Sequence, residues 1–128
     1  MLKNNLIMIT AKIKFKDNEY KQFENKVLNN PLIASEYVTN LVLEKLDFED
    51  KFSLKNISKF SSYDLSEEVR VYLSNAQHFK LKLICSNNGL TYSNYINNLI
   101  LDDLKNETQY EKQAKDYEKN RTEILKLQ

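Results

Sequence analysis

The chain contains 128 residues, of which 41% are hydrophobic and 29% charged, and its formal net charge is +1. A single cysteine argues against a disulfide framework and a structural zinc site, so we expect a reducing, cytoplasmic location. No apolar run approaches the roughly 18 residues that span a membrane, and no membrane segment is expected. The sequence lacks a phosphate-binding loop, a nucleophile elbow and a zinc motif, which predicts a protein without enzymatic activity, catalytic residues, metal or cofactor.

The first predicted element is a strand in which apolar and polar residues alternate. The apolar positions are Ala11, Ile13 and Phe15, and the polar positions are Thr10, Lys12, Lys14 and Lys16. This alternation indicates a strand with one buried face and one basic, exposed face. Asp17 is the predicted N-cap of a first helix, which ends at an Asn-rich turn before Pro31.

A second helix is predicted to begin near Ser35 and to bury one apolar side. That side consists of Tyr37, Val38, Leu41, Val42 and Leu46. The linker that follows, residues 47–68, contains six acidic and three basic side chains. Its apolar residues recur every few positions, so the linker is too apolar to be a disordered tether. We expect a short helix from about Ser53 to Phe60, packed on the core.

The same order of elements then recurs in residues 69–106. In the predicted second strand, Val69, Val71 and Leu73 alternate with Arg70, Tyr72 and Ser74. Asn75 is the predicted N-cap of the next helix, and Cys85 is predicted to be a small core residue on its apolar face. This helix ends at Asn88-Gly89, and another begins near Thr91 or Ser93.

The tail, residues 107–128, continues the last helix without a helix-breaking residue. Five of its residues fall at alternating steps of four and three positions: Tyr110, Ala114, Tyr117, Arg121 and Ile124. This spacing extends over barely two heptads. Two interpretations stay open, a helix for self-association or a protein partner and a charged, solvated helix.

A gap-free repeat at an offset of 58 residues relates the two halves. Residues 30–46 align with residues 88–104, and eight of the 17 pairs are identical. Such a repeat predicts two copies of one strand-helix-helix unit. Each unit alone is too small to bury its apolar faces, so the copies must pack together. The 22-residue linker, at about 3.3 Å per extended residue, is long enough for the copies to pair within one chain.

These features resemble the ribbon-helix-helix family of DNA-binding proteins. The residues that carry the resemblance are the strand 69–73, the helix that begins at Asn75, and the segment 89–96, in which glycine, an apolar residue and two hydroxyl residues open the second helix. The resemblance implies a mainly α fold with a short two-stranded antiparallel β-ribbon, a tandem ribbon-helix-helix pseudo-dimer. Its units would be residues 9–46 and 69–106.

The resemblance further implies that the ribbon enters the DNA major groove, where its outward side chains contact bases. The implied base-reading residues are Lys12, Lys14, Arg70 and Tyr72. Six further residues are implied to contact DNA at the ribbon ends or at the DNA backbone: Thr10, Lys16, Ser74, Ser35, Thr91 and Ser93. Because the two strands offer different side chains, we expect a non-palindromic site.

The leading hypothesis is a sequence-specific double-stranded DNA-binding protein that represses transcription. One alternative is a DNA-binding adaptor of plasmid partition or of a conjugative relaxosome. Another is an antitoxin-like protein-binding module in which the second copy has lost its DNA role. Neighbouring genes, or mapping of the bound DNA, would distinguish these hypotheses.

Overall fold

The computed structural model describes residues 6–57 and 61–107. The predictions for the tail from residue 108 and for the end of the linker helix at Phe60 lie outside the described residues. Within the described part, no helix is both long and apolar enough to cross a bilayer.

The described residues form two strands, four α-helices and one 3-10 turn. In chain order these are β1 (Ile7–Lys12), α1 (Asp17–Lys26), α2 (Pro31–Lys45), the 3-10 turn (Leu54–Asn56), β2 (Glu68–Leu73), α3 (Asn75–Asn87) and α4 (92–107). Each half of the chain therefore has the order strand, helix, helix. The predicted class, mainly α with a short two-stranded antiparallel ribbon, is confirmed.

The ribbon forms within one chain, because β1 and β2 pair with each other in antiparallel orientation. Ala11 lies opposite Val69 in the register. These two residues are also equivalent under the 58-residue offset, since 69 minus 11 is 58. An approximate twofold axis therefore passes through this pair and relates the two strands.

The first strand begins and ends earlier than predicted. It spans Ile7–Lys12, whereas the alternation predicted a strand from Thr10 to Lys16. The partner strand sets this limit, because Glu68, its first residue, lies opposite Lys12. One further bond joins the Ile13 N–H to the Glu67 carbonyl, at 3.0 Å. Beyond it the chain leaves the ribbon to begin α1.

The inner face of the ribbon packs on the helices to form a single core. The large or β-branched side chains that are wholly buried include Phe23, Val27, Val38, Val42, Leu46, Val69, Val71, Leu73, Leu81, Ile96 and Ile100. Both copies contribute to this core, as the predicted apolar helix faces required. Cys85 is 3% exposed, which confirms the prediction of a core cysteine, and burial raises the pKa of its thiol.

The first helix of each copy begins one residue earlier than predicted, with Lys16 and Ser74 as N-caps instead of Asp17 and Asn75. The Ser74 hydroxyl accepts the Gln77 backbone N–H at 3.2 Å, and the Gln77 side-chain oxygen Oε1 accepts the Ser74 N–H at 2.8 Å. Glu19, the equivalent of Gln77, accepts the Lys16 N–H at 2.8 Å. An acceptor three residues into each helix thus fixes its start.

The linker is attached to the side of α2. The Asn40 amide accepts the Phe52 N–H at 2.7 Å and donates to the Phe52 carbonyl at 3.0 Å. The Glu36 carboxylate accepts the Leu54 N–H at 3.2 Å. Helical structure in the described part of the linker is limited to the 3-10 turn Leu54–Asn56. The expected helix from Ser53 is thus only one turn within the described residues.

We expect the core position Leu81 and the surface position Leu83 to respond differently to truncation. Leu81 is wholly buried, while Leu83 on the same helix is 46% exposed. Leu81→Ala should lower the free energy of unfolding by about 2–5 kcal/mol, since it leaves a cavity. Leu83→Ala, the matched control, should change it by less than about 0.5 kcal/mol. Urea denaturation measures both, and equal losses would contradict this core.

Candidate nucleic-acid interface

The ribbon has an outer face that points away from the helices. Side chains alternate along a strand, and residues opposite each other in the register share a face. Three pairs face outward: Met8 with Tyr72, Thr10 with Arg70, and Lys12 with Glu68. We call these six residues the outer face.

The β1 half of the outer face is open to solvent. Thr10 and Lys12 are exposed, and Met8 is 49% exposed. Lys14 and Lys16 are also exposed, but they follow the strand instead of lying in it. The Lys14 ammonium donates to the side-chain carbonyl of Asn94 at 2.8 Å, which places Lys14 beside the start of α4.

The linker covers Tyr72 in the β2 half. The Tyr72 ring stacks on Phe52 with centroids 5.6 Å apart and planes 11° apart, and only 9% of Tyr72 is exposed. Burial is the main cause of the raised pKa of its phenol, with Arg70 acting in the opposite direction. Tyr72 thus lies on the outer face as expected, but it is not accessible there, because the linker covers it with an aromatic ring that the strand pattern did not reveal.

Arg70, in the same half, is held by three neighbours. Its Nε donates to the Glu68 carboxylate at 3.1 Å, and its Nη1 donates to the Ser61 hydroxyl at 3.1 Å. The guanidinium carbon also lies 4.7 Å from the centroid of the Tyr63 ring. The side chain of Arg70 is 19% exposed and that of Glu68 26% exposed.

At the C-terminal end of β1, the free edge is closed by α4, a helix of the other copy. The Lys12 N–H donates to the Ser93 hydroxyl at 3.0 Å, and the Lys14 N–H donates to the Asn97 side chain at 2.9 Å. The Asn97 amide donates in return to the Lys12 carbonyl at 2.7 Å. These bonds satisfy strand groups that would otherwise be open to another strand.

The free edge of β2 is closed in a related way by α2 of the first copy. Thr39, the equivalent of Asn97, accepts the Tyr72 N–H at 3.1 Å. On this side, however, the Tyr63 hydroxyl stands between the strand and Ser35. It accepts the Arg70 N–H at 3.3 Å and lies 2.7 Å from the Ser35 hydroxyl.

The starts of α2 and α4 differ in whether their first backbone N–H groups have an acceptor. Helix α2 begins at Pro31, and the Asn30 side chain accepts the N–H groups of Leu32 and Ile33, at 2.8 and 3.3 Å. Ser35 lies inside α2 and is wholly buried, so its expected place at a helix start, in reach of a phosphate, is wrong.

At the start of α4, Thr91 is exposed and its hydroxyl accepts the Asn94 N–H at 3.0 Å. Among the described residues, the N–H groups of Tyr92 and Ser93 have no acceptor. Ser74, another expected DNA contact, uses both its hydroxyl and its N–H to cap α3.

Sequence reasoning missed four residues of this region: Met8, Tyr63, Glu68 and Asn97. A signal for Asn97 was present, because Ser35 and Thr39 align with Ser93 and Asn97 as polar pairs four residues apart on apolar helices. No comparable signal marked Tyr63, which lies in the linker outside the repeat. The described residues contain no group of histidine, cysteine and carboxylate side chains able to hold a metal ion.

Comparison with known proteins identifies no relative of this chain. No family model, no curated protein and no solved structure matches this chain.

We expect Asn97→Ala to lower the free energy of unfolding by about 1–3 kcal/mol, because it leaves partly buried backbone groups unpaired. Asn97 is 4% exposed and binds both Lys12 and Lys14. Asn98→Ala is the control, since Asn98 is exposed on the same helix. Hydrogen exchange should show a faster Lys14 amide in the first variant alone. An unchanged Lys14 amide would contradict this edge contact.

Proposed function

We propose that this protein is a sequence-specific double-stranded DNA-binding protein with a tandem ribbon-helix-helix fold, and that it represses transcription. The observation that carries the proposal is the solvent-facing β1 half of a two-stranded ribbon mounted on four helices. Thr10 and Lys12 lie on this surface, and neither side chain is turned into the core.

The dimensions of the ribbon suit a DNA groove. The B-DNA major groove is about 12 Å wide and admits a two-stranded ribbon, whereas the minor groove is about 6 Å wide. On insertion, the outer face meets the base edges. Lys12 can donate to the N7 and O6 acceptors of guanine, Thr10 can bond to any base edge, and Met8 can contact a thymine methyl group.

Phosphate contacts fit the residues that flank the ribbon. Lys14 and Lys16 are exposed directly after β1, and Lys14 contacts Asn94 near the start of α4. The free N–H groups of Tyr92 and Ser93 and the positive end of the α4 dipole favour an anion at this place. Such contacts would fix the register of the ribbon on the duplex.

A second candidate function is the protein-binding module. Glu68 lies opposite Lys12 on the outer face and pairs with Arg70. Its negative charge offsets one of the two positive charges, Lys12 and Arg70, on this face. The linker also covers part of β2. Both observations suit a protein partner better than a polyanion. The partition and relaxosome adaptors would use the same DNA surface, and the tail that would connect them to other proteins lies outside the described residues.

Lys12→Ala tests the proposal after a preferred site has been obtained by selection from random duplexes. We expect specific binding to weaken by about 1–3 kcal/mol and the preference to relax at one base pair, because a direct base contact is lost. The control is Lys21→Ala, since Lys21 is an exposed lysine on α1, outside the ribbon. Fluorescence anisotropy against single-base variants of the site measures both effects.

Equal weakening on all sequences would assign Lys12 to phosphate contact instead of base contact. Failure of the unaltered protein to enrich any sequence would contradict the proposed function and would favour the protein-binding module.

A further inference from the structure

The two strands have equivalent positions in the repeat but different surroundings. Lys12 and Arg70 are equivalent under the offset, since 70 minus 12 is 58. In the structure, however, Lys12 is exposed, while Arg70 is largely covered. The difference arises from the linker, which has no counterpart on the β1 side among the described residues.

The linker is fixed at two points, one before residue 58 and one after residue 60. At the first, Phe52 is 6% exposed, stacks on Tyr72, and is bound through its backbone to Asn40. At the second, the Tyr63 hydroxyl lies 2.7 Å from the Ser35 hydroxyl and donates to the Pro31 carbonyl at 2.9 Å. We call the residues Phe52, Ser61 and Tyr63 the strap.

The strap and Glu68 together hold the Arg70 guanidinium through two of its nitrogens, Nε and Nη1. Contact with a guanine edge would require Arg70 to give up the Glu68 carboxylate at 3.1 Å, the Ser61 hydroxyl at 3.1 Å and the Tyr63 ring. Hydrogen bonds to charged groups are among the stronger ones in proteins. Tyr72 would likewise have to leave the stack on Phe52. Lys12 has no such contact to break among the described residues.

The starts of α4 and α2 also differ, because only α4 has unpaired backbone N–H groups among the described residues. The start of α4, next to the β1 edge, keeps free N–H donors at Tyr92 and Ser93. The start of α2, next to the β2 edge, has its donors taken by Asn30 and none at Pro31. The open strand and the open helix start therefore lie on one side of the ribbon.

We propose that the strap removes the second strand from base recognition, so that β1 alone reads bases and one chain recognises one half-site. This inference rests on the proposed function, because it describes how the same surface meets DNA. Arg70 and Tyr72 are then structural residues that hold the strap on the ribbon. Tyr63 is a positioning residue, which acts on recognition through Arg70.

The equivalent pair Lys12 and Arg70 provides the test, on a selected site and all its single-base variants. Lys12→Ala should reduce discrimination at one base pair by about tenfold or more, as expected for a lost base contact. Arg70→Met keeps the alkyl stem against Tyr63 but removes every donor. It should leave discrimination at all positions within about twofold, since it removes no base contact. Thermal denaturation confirms that each variant is folded.

A third variant tests whether the polar contacts of Arg70 with Glu68 and with Ser61 of the strap keep it from DNA. Glu68→Ala combined with Ser61→Ala removes two acceptors of Arg70, and both residues lie at the surface. We expect this variant to gain a preference for guanine at a position where the unaltered protein has none. Adding Arg70→Met to this double variant should abolish the gained preference, since Arg70 would be the residue that contacts guanine. A gain caused by a general loss of stability would not depend on Arg70.

The outcomes separate this inference from the proposed function. Loss of discrimination in Arg70→Met comparable to that in Lys12→Ala would overturn the inference and leave a DNA-binding protein that reads with both strands. Absence of a gained preference in the Glu68 and Ser61 variant would overturn the claim that these contacts keep Arg70 from DNA. If the unaltered protein enriches no sequence, the proposed function fails, and the inference fails with it.

Discussion

The pairing of β1 with β2 within one chain is the interaction on which the rest of the structure depends. An isolated two-stranded ribbon is marginal in water and needs packing on one face. Here the inner face supplies Val69 and Val71 to a core shared by helices of both copies. The edges are closed by Asn97 on one side and Thr39 on the other, each from the helix of the opposite copy. Neither copy can therefore complete its strand or its core alone.

Covalent linkage of the two strands allows them to differ. In a symmetric dimer each strand position occurs twice, so any change appears on both sides of the axis. In this chain Lys12 and Arg70 occupy equivalent positions with different chemistry. The linker adds Tyr63 at the β2 edge, between Arg70 and Ser35, where the β1 edge has a direct bond to Ser93. Burial is the main cause of the raised pKa of Tyr63, and its hydroxyl donates to the Pro31 carbonyl at 2.9 Å.

Much of this architecture could be predicted from the sequence, because the repeat is read from local patterns. Period-two and helical spacing identified both strands, all four helices and most of the core. Boundaries were less accurate: β1 ends at Lys12 because of its register with Glu68, and α2 begins at Pro31 because Asn30 caps it. The covering of Tyr72 was not predictable, since Phe52 lies 20 residues away along the chain, in a linker whose apolar spacing does not show which part of the ribbon it contacts. The candidate site therefore differs most from expectation where the linker contacts β2, and least in β1.

Isotope-filtered NMR on an equal mixture of labelled and unlabelled chains tests the intrachain ribbon most directly. Thr10 and Arg70 lie opposite each other, and their backbone N–H groups point away from the partner strand, so their α-protons are close. The account predicts a cross-strand contact between these protons that is confined to labelled chains and absent between labelled and unlabelled ones. A contact between labelled and unlabelled chains would show that the ribbon forms between two molecules and would contradict the account.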